Sequence, residues 1–174
     1  MGADLSRRDL LRRGEVGPAA EQLHHALTLS RRVGDRAAEA LALTLTGGVF
    51  LRRGELEPAA QHLDQALTLC RQVGNRAEET LVLTLLGELC GRQGAHDRAV
   101  EHLQRALSSA VEVGDRIAEA AALDRLGETS RLTGDLDQAH RHWQQALTIY
   151  KGLDLPEAEQ IRVKVSAYSG LRGT

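Results

Sequence analysis

Apolar residues along this chain fall in two alternating patterns. Ala19, Leu23, Ala26 and Leu27 have the spacing of one helix face. The same set returns as Ala59, Leu63, Ala66 and Leu67, then Ala99, Leu103, Ala106 and Leu107, then Ala139, Trp143, Ala146 and Leu147. Between these lies a second pattern, in which Leu43, Leu83 and Leu123 each precede a glycine, Gly47, Gly87 or Gly127. The polar punctuation is as regular. Gly34, Gly74 and Gly114 are followed by Asp35, Asn75 and Asp115, and Gly14, Gly54, Gly94 and Gly134 mark the other turns. A glycine past a helix end supplies a left-handed cap, and Asp or Asn beside it caps the next helix. Pro18 and Pro58 stand where a first-turn proline is tolerated. The pattern predicts helices over about 18–33, 36–53, 57–73, 76–93, 96–113, 116–133 and 136–151. A shorter helix is expected over about 5–13, and a closing one over about 156–169.

The period is forty residues. Leu11–Phe50 and Leu51–Cys90 align without a gap and share 24 identical positions. Repeats are expected over about 11–50, 51–90 and 91–130, with a partial one over 131–151, all in a single repeat domain over 1–174. The expected fold is all-α: a right-handed superhelical solenoid of antiparallel helix pairs, about seven full helices plus the short first helix and a closing cap. A glycine in mid-helix costs about 1 kcal/mol against alanine. Its threefold recurrence predicts a close helix crossing at which a Cβ would clash.

Composition narrows the function. The chain has 174 residues, 22 basic and 24 acidic side chains, 2% aromatics and three prolines, which suits helices better than a β-sandwich. The near balance of charge, with no run of five like charges, lacks the basic face and stacking aromatics of a nucleic-acid binder. No apolar stretch approaches the length of a membrane span, and Met1–Arg13 is too polar to read as a signal peptide. Two cysteines without a pairing pattern point to a reducing, cytoplasmic setting.

Candidate chemistry is thin. His62, His102 and His142 share one phase of the repeat, with Gln22 in the first copy. Stacked equivalents lie about 10 Å apart, too far for one zinc, so these histidines read as surface or interhelical packing residues. Cys70 and Cys90 fall roughly 18 Å apart along neighbouring helices, beyond disulfide reach, and are expected to be buried thiols. No phosphate loop is present, and no carboxylate pair stands out for catalysis, so no cofactor, metal or enzymatic activity is expected. Arg36, Arg76 and Arg116 each precede a glutamate by three residues, Glu39, Glu79 or Glu119, which predicts ion pairs that fix the turn.

The run Leu-x-x-x-Gly in one helix and Ala-x-x-x-Leu-x-x-Ala-Leu in the next resembles the tetratricopeptide repeat, here lengthened from 34 residues. The resemblance covers about Leu10 to Lys151. The forty-residue form is similar to the repeats of AfsR-like bacterial transcription activators and of animal spindle-orientation adaptors. The stretch DLPEAEQIRVKVSAYSGL resembles the terminal helix of the bacterial arrays. The resemblance implies a non-catalytic protein–protein interaction scaffold, the C-terminal sensor region of a bacterial transcription regulator within a longer array. Its partner would be a protein or peptide, or another domain of the same parent chain, with neither nucleic acid nor membrane bound directly. The family's concave groove transfers to Leu41, Thr44, Gly48 and Arg52, then Leu81, Thr84, Glu88 and Arg92, then Ala121, Asp124, Glu128 and Arg131. A chaperone-type carboxylate clamp would need Lys and Asn where this chain has Thr44, Thr84 and Asp124. The adaptor type would need Asn where it has Leu45, Leu85 and Arg125. What remains is a groove of mixed charge, suited to an amphipathic helix with an acidic edge. Two other functions fit the sequence: homodimerisation through the N-terminal end, where Leu23 and Leu27 are thinly covered, and sensing of a small peptide ligand.

Overall fold

A computed structural model describes residues 18–171. The short helix expected over 5–13 lies outside the described residues. Within them the chain forms eight α-helices and no strand: α1 Pro18–Val33, α2 Arg36–Arg52, α3 Leu56–Val73, α4 Arg76–Arg92, α5 His96–Val113, α6 Arg116–Leu132, α7 Leu136–Gly152 and α8 Glu157–Leu171. The expected boundaries hold to within two residues. Two compact units make up the chain, 1–69 and 70–174, with the division in the last turn of α3.

Local chemistry marks most of the helix limits, although α5 starts after Ala95 with no side-chain cap. Asp35, Asn75, Asp115 and Asp135 each accept a backbone N–H three residues ahead, at 2.9–3.1 Å. That satisfies one of the four orphan donors of a helix start. Gly34, Gly74 and Gly114 have φ of 74°, 69° and 73°, a left-handed conformation in which a side chain would be strained. One period further on, the same place is held by Asp154 at φ 54°, a residue type that tolerates this region better than most.

In the first unit the α2 core is Ala40, Ala42, Leu43 and Leu51, and α3 contributes Ala59, Leu63 and Ala66; all are at most 3% exposed. The join is Gly47. A Cβ built there would meet Leu63 Cγ at 2.7 Å. The second unit repeats the join twice. A Cβ on Gly87 would strike Leu103, and one on Gly127 would come within 2.5 Å of Trp143 Nε1. The mid-helix glycines therefore let the next helix insert a large side chain against bare backbone. Trp143 is the largest of these inserted side chains, and its Nε1 donates to the Asp124 carbonyl at 3.3 Å.

Helix α8 ends the second unit in a different register. Its buried residues are Ile161 and Tyr168. A strict forty-residue continuation would bury positions 160, 163 and 167 instead, so α8 is turned by about one residue, roughly 100°. Tyr168 donates its hydroxyl to Asp137 and stacks on His140, with ring centroids 4.6 Å apart. Lys164 reaches Asp124 Oδ1 at 2.5 Å and stands 5.8 Å from the Trp143 ring centroid. Ile161 joins the core around Ala120, Leu123, Trp143 and Ile149. The outer residues Glu157, Glu159, Gln160 and Arg162 are exposed, the polar end that a repeat array needs.

Candidate functional site

The residues transferred to a groove separate by burial. In the first unit Leu41 and Arg52 are exposed, while Thr44 and Gly48 are buried. Thr44 donates its hydroxyl to the Ala40 carbonyl at 2.9 Å. The same holds in α4, where Leu81 is 42% exposed and Thr84 is buried, bonded to the Thr80 carbonyl at 2.9 Å. Thr44, Gly48 and Thr84 thus serve the packing and offer no surface.

The second unit brings α4 and α6 side by side. Leu81, Leu85, Glu88 and Arg92 form one helical stripe on α4. On α6, Ala121, Asp124 and Glu128 are half-buried and Arg131 is exposed. Glu88 joins the helices: it takes Arg92 at 2.5 Å within α4 and Arg125 at 2.9 Å from α6. Glu128 pairs with Arg131 at 2.5 Å, and that hydrogen bond holds the Glu128 carboxyl below its ordinary range. Asp124 is met by Lys164 of α8. Glu88, Glu128 and Asp124 each therefore have a cation inside the molecule. Arg92, Arg125, Arg131 and Lys164 hold these three carboxylates, beside the open Leu81 and half-open Leu85.

Arg125 and Lys164 were not among the transferred residues, although both belong to this face. Arg125 is traceable in the sequence, since it breaks a column of Leu45 and Leu85. Lys164 stands one period after Asp124, yet its contact depends on the turned register of α8.

The remaining expectations concern the turns, the thiols and the histidines. Arg36, Arg76 and Arg116 pair with Glu39, Glu79 and Glu119 at 3.3, 3.9 and 2.5 Å. A stronger partner had no signal at helical spacing: Arg31 reaches Glu39 at 2.8 Å across the turn, and Arg71 reaches Glu79 at 2.9 Å. Cys70 and Cys90 are buried thiols. Burial, with Glu78 and Glu79 nearby, pushes the Cys70 thiol up to about 11, which leaves little nucleophilic thiolate at neutral pH. His24 and His25 are exposed, whereas His62 packs between helices. His62 Nδ1 lies 2.8 Å from the Pro58 carbonyl oxygen, with its ring 5.2 Å from Phe50. Among the described residues no group of His, Cys, Asp or Glu is placed to hold a metal ion, and no helix is long and apolar enough to cross a membrane.

Residues 78–152 match the tetratricopeptide repeat family. The chain is also similar to solved structures. It matches the TPR domain of Arabidopsis FLU with a TM-score of 0.63 and 22% identity, over 67% of this chain and 98% of that one. It matches BtubC (BKLC) from P. vanneervenii with a TM-score of 0.75 and 17% identity, over 92% of this chain and 66% of that one. No curated protein matches the chain. At such identities the structural likeness carries the fold: all-α, built of tetratricopeptide-type helix pairs. That fold generally mediates protein–protein interaction, and its members are generally non-catalytic scaffolds.

Proposed function

We propose that this chain is a non-catalytic scaffold that docks a peptide or amphipathic helix on the face shared by α4 and α6. The observation that carries the reading is the pairing pattern of that face. Glu88, Asp124 and Glu128 are each matched internally, Arg92 and Arg125 converge on Glu88, and Leu81 stands open beside them. A bound helix would lay an apolar side chain over Leu81 and Leu85 and an acidic edge along Arg92, Arg125 and Arg131. In the first unit, Leu41 and Arg52 would present the same chemistry. The resemblance of the repeats and of the closing stretch to AfsR-like activators supports a further placement, as the C-terminal sensor region of a bacterial transcription regulator.

The test is a fluorescence-anisotropy titration with a labelled amphipathic helical peptide, leucines on one face and glutamates along one edge. Saturable binding is expected, and Leu81→Asp or Arg125→Glu should each weaken it about tenfold, the scale of a central interface residue. Binding that neither substitution changes would contradict the proposal.

A second reading, homodimerisation through α1, has its own observation. Ala26 is exposed, whereas its equivalents Ala66, Ala106 and Ala146 are fully buried. Leu23 is half-buried where Leu63 and Leu103 are fully buried, whereas Leu27, also expected to be thinly covered, is buried. Light scattering across a concentration series decides it: a mass of two chains that Ala26→Glu returns to one supports this reading, and a monomer throughout removes it.

A further inference from the structure

The three turns at Gly34, Gly74 and Gly114, forty residues apart, are internal controls for one another. In the first, Glu39 is 10% exposed and holds two arginines, Arg31 at 2.8 Å and Arg36 at 3.3 Å. The second repeats this, with Glu79 at 10% held by Arg71 at 2.9 Å and Arg76 at 3.9 Å. The third keeps the acceptor and one donor, since Glu119 is 15% exposed and bonded to Arg116 at 2.5 Å. Its other arginine is gone: the residue forty positions after Arg71 is Val111. Among the described residues, Arg116 is the one ion-pair partner of Glu119. Two surface positions also turn aliphatic in this copy alone. Val111 is 57% exposed, and Ile117, which replaces Ala37 and Ala77, is 56% exposed.

Beside Val111 lies a depression of about 380 Å³. Its lining is apolar at Leu107 and Val111 of α5, Leu123 of α6 and Ile149 of α7, and polar at Arg116 and Glu119 of α6 and Gln145 and Thr148 of α7. Arg116 is the one donor seen on Glu119 among the described residues, so its second oxygen stays open to a further donor beside exposed aliphatic surface. In the other copies the chain itself supplies that donor as a guanidinium.

We propose that this depression is a second docking site, outside the α4–α6 face. Its occupant is a segment of a protein partner that places an arginine on Glu119 and a neighbouring aliphatic side chain on Val111. The partner supplies in trans what Arg31 and Arg71 supply within the chain. The chemistry commits the site to a cation, because the group it offers is a carboxylate and its planar fork of acceptors suits a guanidinium. It commits the site to an aliphatic neighbour, because a bare cation would leave Val111 and Leu107 wet.

The full chain, with isotope-labelled methyl groups, is titrated with the blocked tripeptide acetyl-Leu-Arg-Leu-amide and watched by NMR at Val111, Leu107, Leu123 and Ile149. Saturable shifts at these methyls are expected, and acetyl-Leu-Glu-Leu-amide should give none. Glu119→Gln and Val111→Arg should each weaken binding about tenfold or more, by removing the acceptor or by filling the site from within. Val111→Arg restores what two other copies carry, so it should melt at or above the parent temperature, which separates loss of the site from loss of the fold. The proposal is overturned by shifts that do not saturate, by equal binding of the glutamate peptide, or by full binding in either variant. A Glu119-dependent dimer of the chain without peptide would also overturn it, since the occupant would then be a second copy.

Discussion

Thr80 and Ser109 show how one residue pair can be read against its own repeats. Thr80 Oγ1 lies 2.8 Å from Ser109 Oγ and 2.9 Å from the Arg76 carbonyl oxygen, and both residues are buried. The same two places hold Ala40 with Leu69 and Ala120 with Ile149; the last pair shares one apolar core. A small residue goes with a large apolar one, or two hydroxyls go together. Thr80→Ala alone strands a buried serine and should cost about 1–2 kcal/mol in urea unfolding. Thr80→Ala with Ser109→Leu recreates the pairing of the first copy, so it should recover most of that loss, with a coupling of about 1 kcal/mol or more. Strictly additive effects would show that the two side chains do not act as a pair. His142 gives a pH-dependent counterpart. Burial, then Arg141, holds its imidazole below the usual histidine range, against the pull of Asp135. The native state thus favours the neutral ring, and an unfolded chain binds a proton more readily near pH 6.5. Stability from this residue is present above that pH and is lost as pH falls through it. His142→Gln, the residue type that Gln22 supplies in the first copy, should flatten the fall in melting temperature between about pH 7 and pH 5; an unchanged slope would assign the effect elsewhere.

At the scale of the element, the close crossing decides whether two helices can pair. Gly127→Ala puts a methyl against an indole that cannot give way without losing its bond to the Asp124 carbonyl. The change should cost about 2–3 kcal/mol despite the better helix propensity of alanine. Gly91 lies in the same kind of helix with nothing within 4 Å of a built Cβ, so Gly91→Ala should be neutral or stabilise by up to about 1 kcal/mol. Chemical denaturation of both variants tests this, and equal effects would remove the crossing as the reason for the glycines. These crossings were legible in the sequence because Gly47, Gly87 and Gly127 recur where propensity alone forbids them. Helix limits were legible because each turn carries its own cap. Pairs that cross a turn or join repeats were not. Arg31 and Glu39 are eight residues apart, and their meeting depends on the path that left-handed Gly34 gives the chain. Glu88 and Arg125 are joined only by the packing of α4 on α6. The turned register of α8 follows from Tyr168 finding Asp137 and His140, a choice that no period encodes.

For the whole molecule, the repeat explains what is alike and the exceptions locate what acts. Of the residues transferred to a groove, Leu41, Arg52, Leu81, Arg92 and Arg131 reach the surface, while Thr44, Gly48 and Thr84 are absorbed by the packing. The sequence reading could name the stripe but could not sort it, because burial on a helix face is set by the neighbouring helix. Arg125 and Val111 each break a column of the repeat, and each stands on a surface for which a partner is proposed. The most direct measurement is an NMR titration of the isotope-labelled full chain with the acidic amphipathic peptide, read residue by residue. Shifts that saturate together at Leu81, Leu85, Glu88, Arg125 and Arg131 are the predicted result. Shifts scattered over the molecule, or gathered on residues outside α4 and α6, would contradict it.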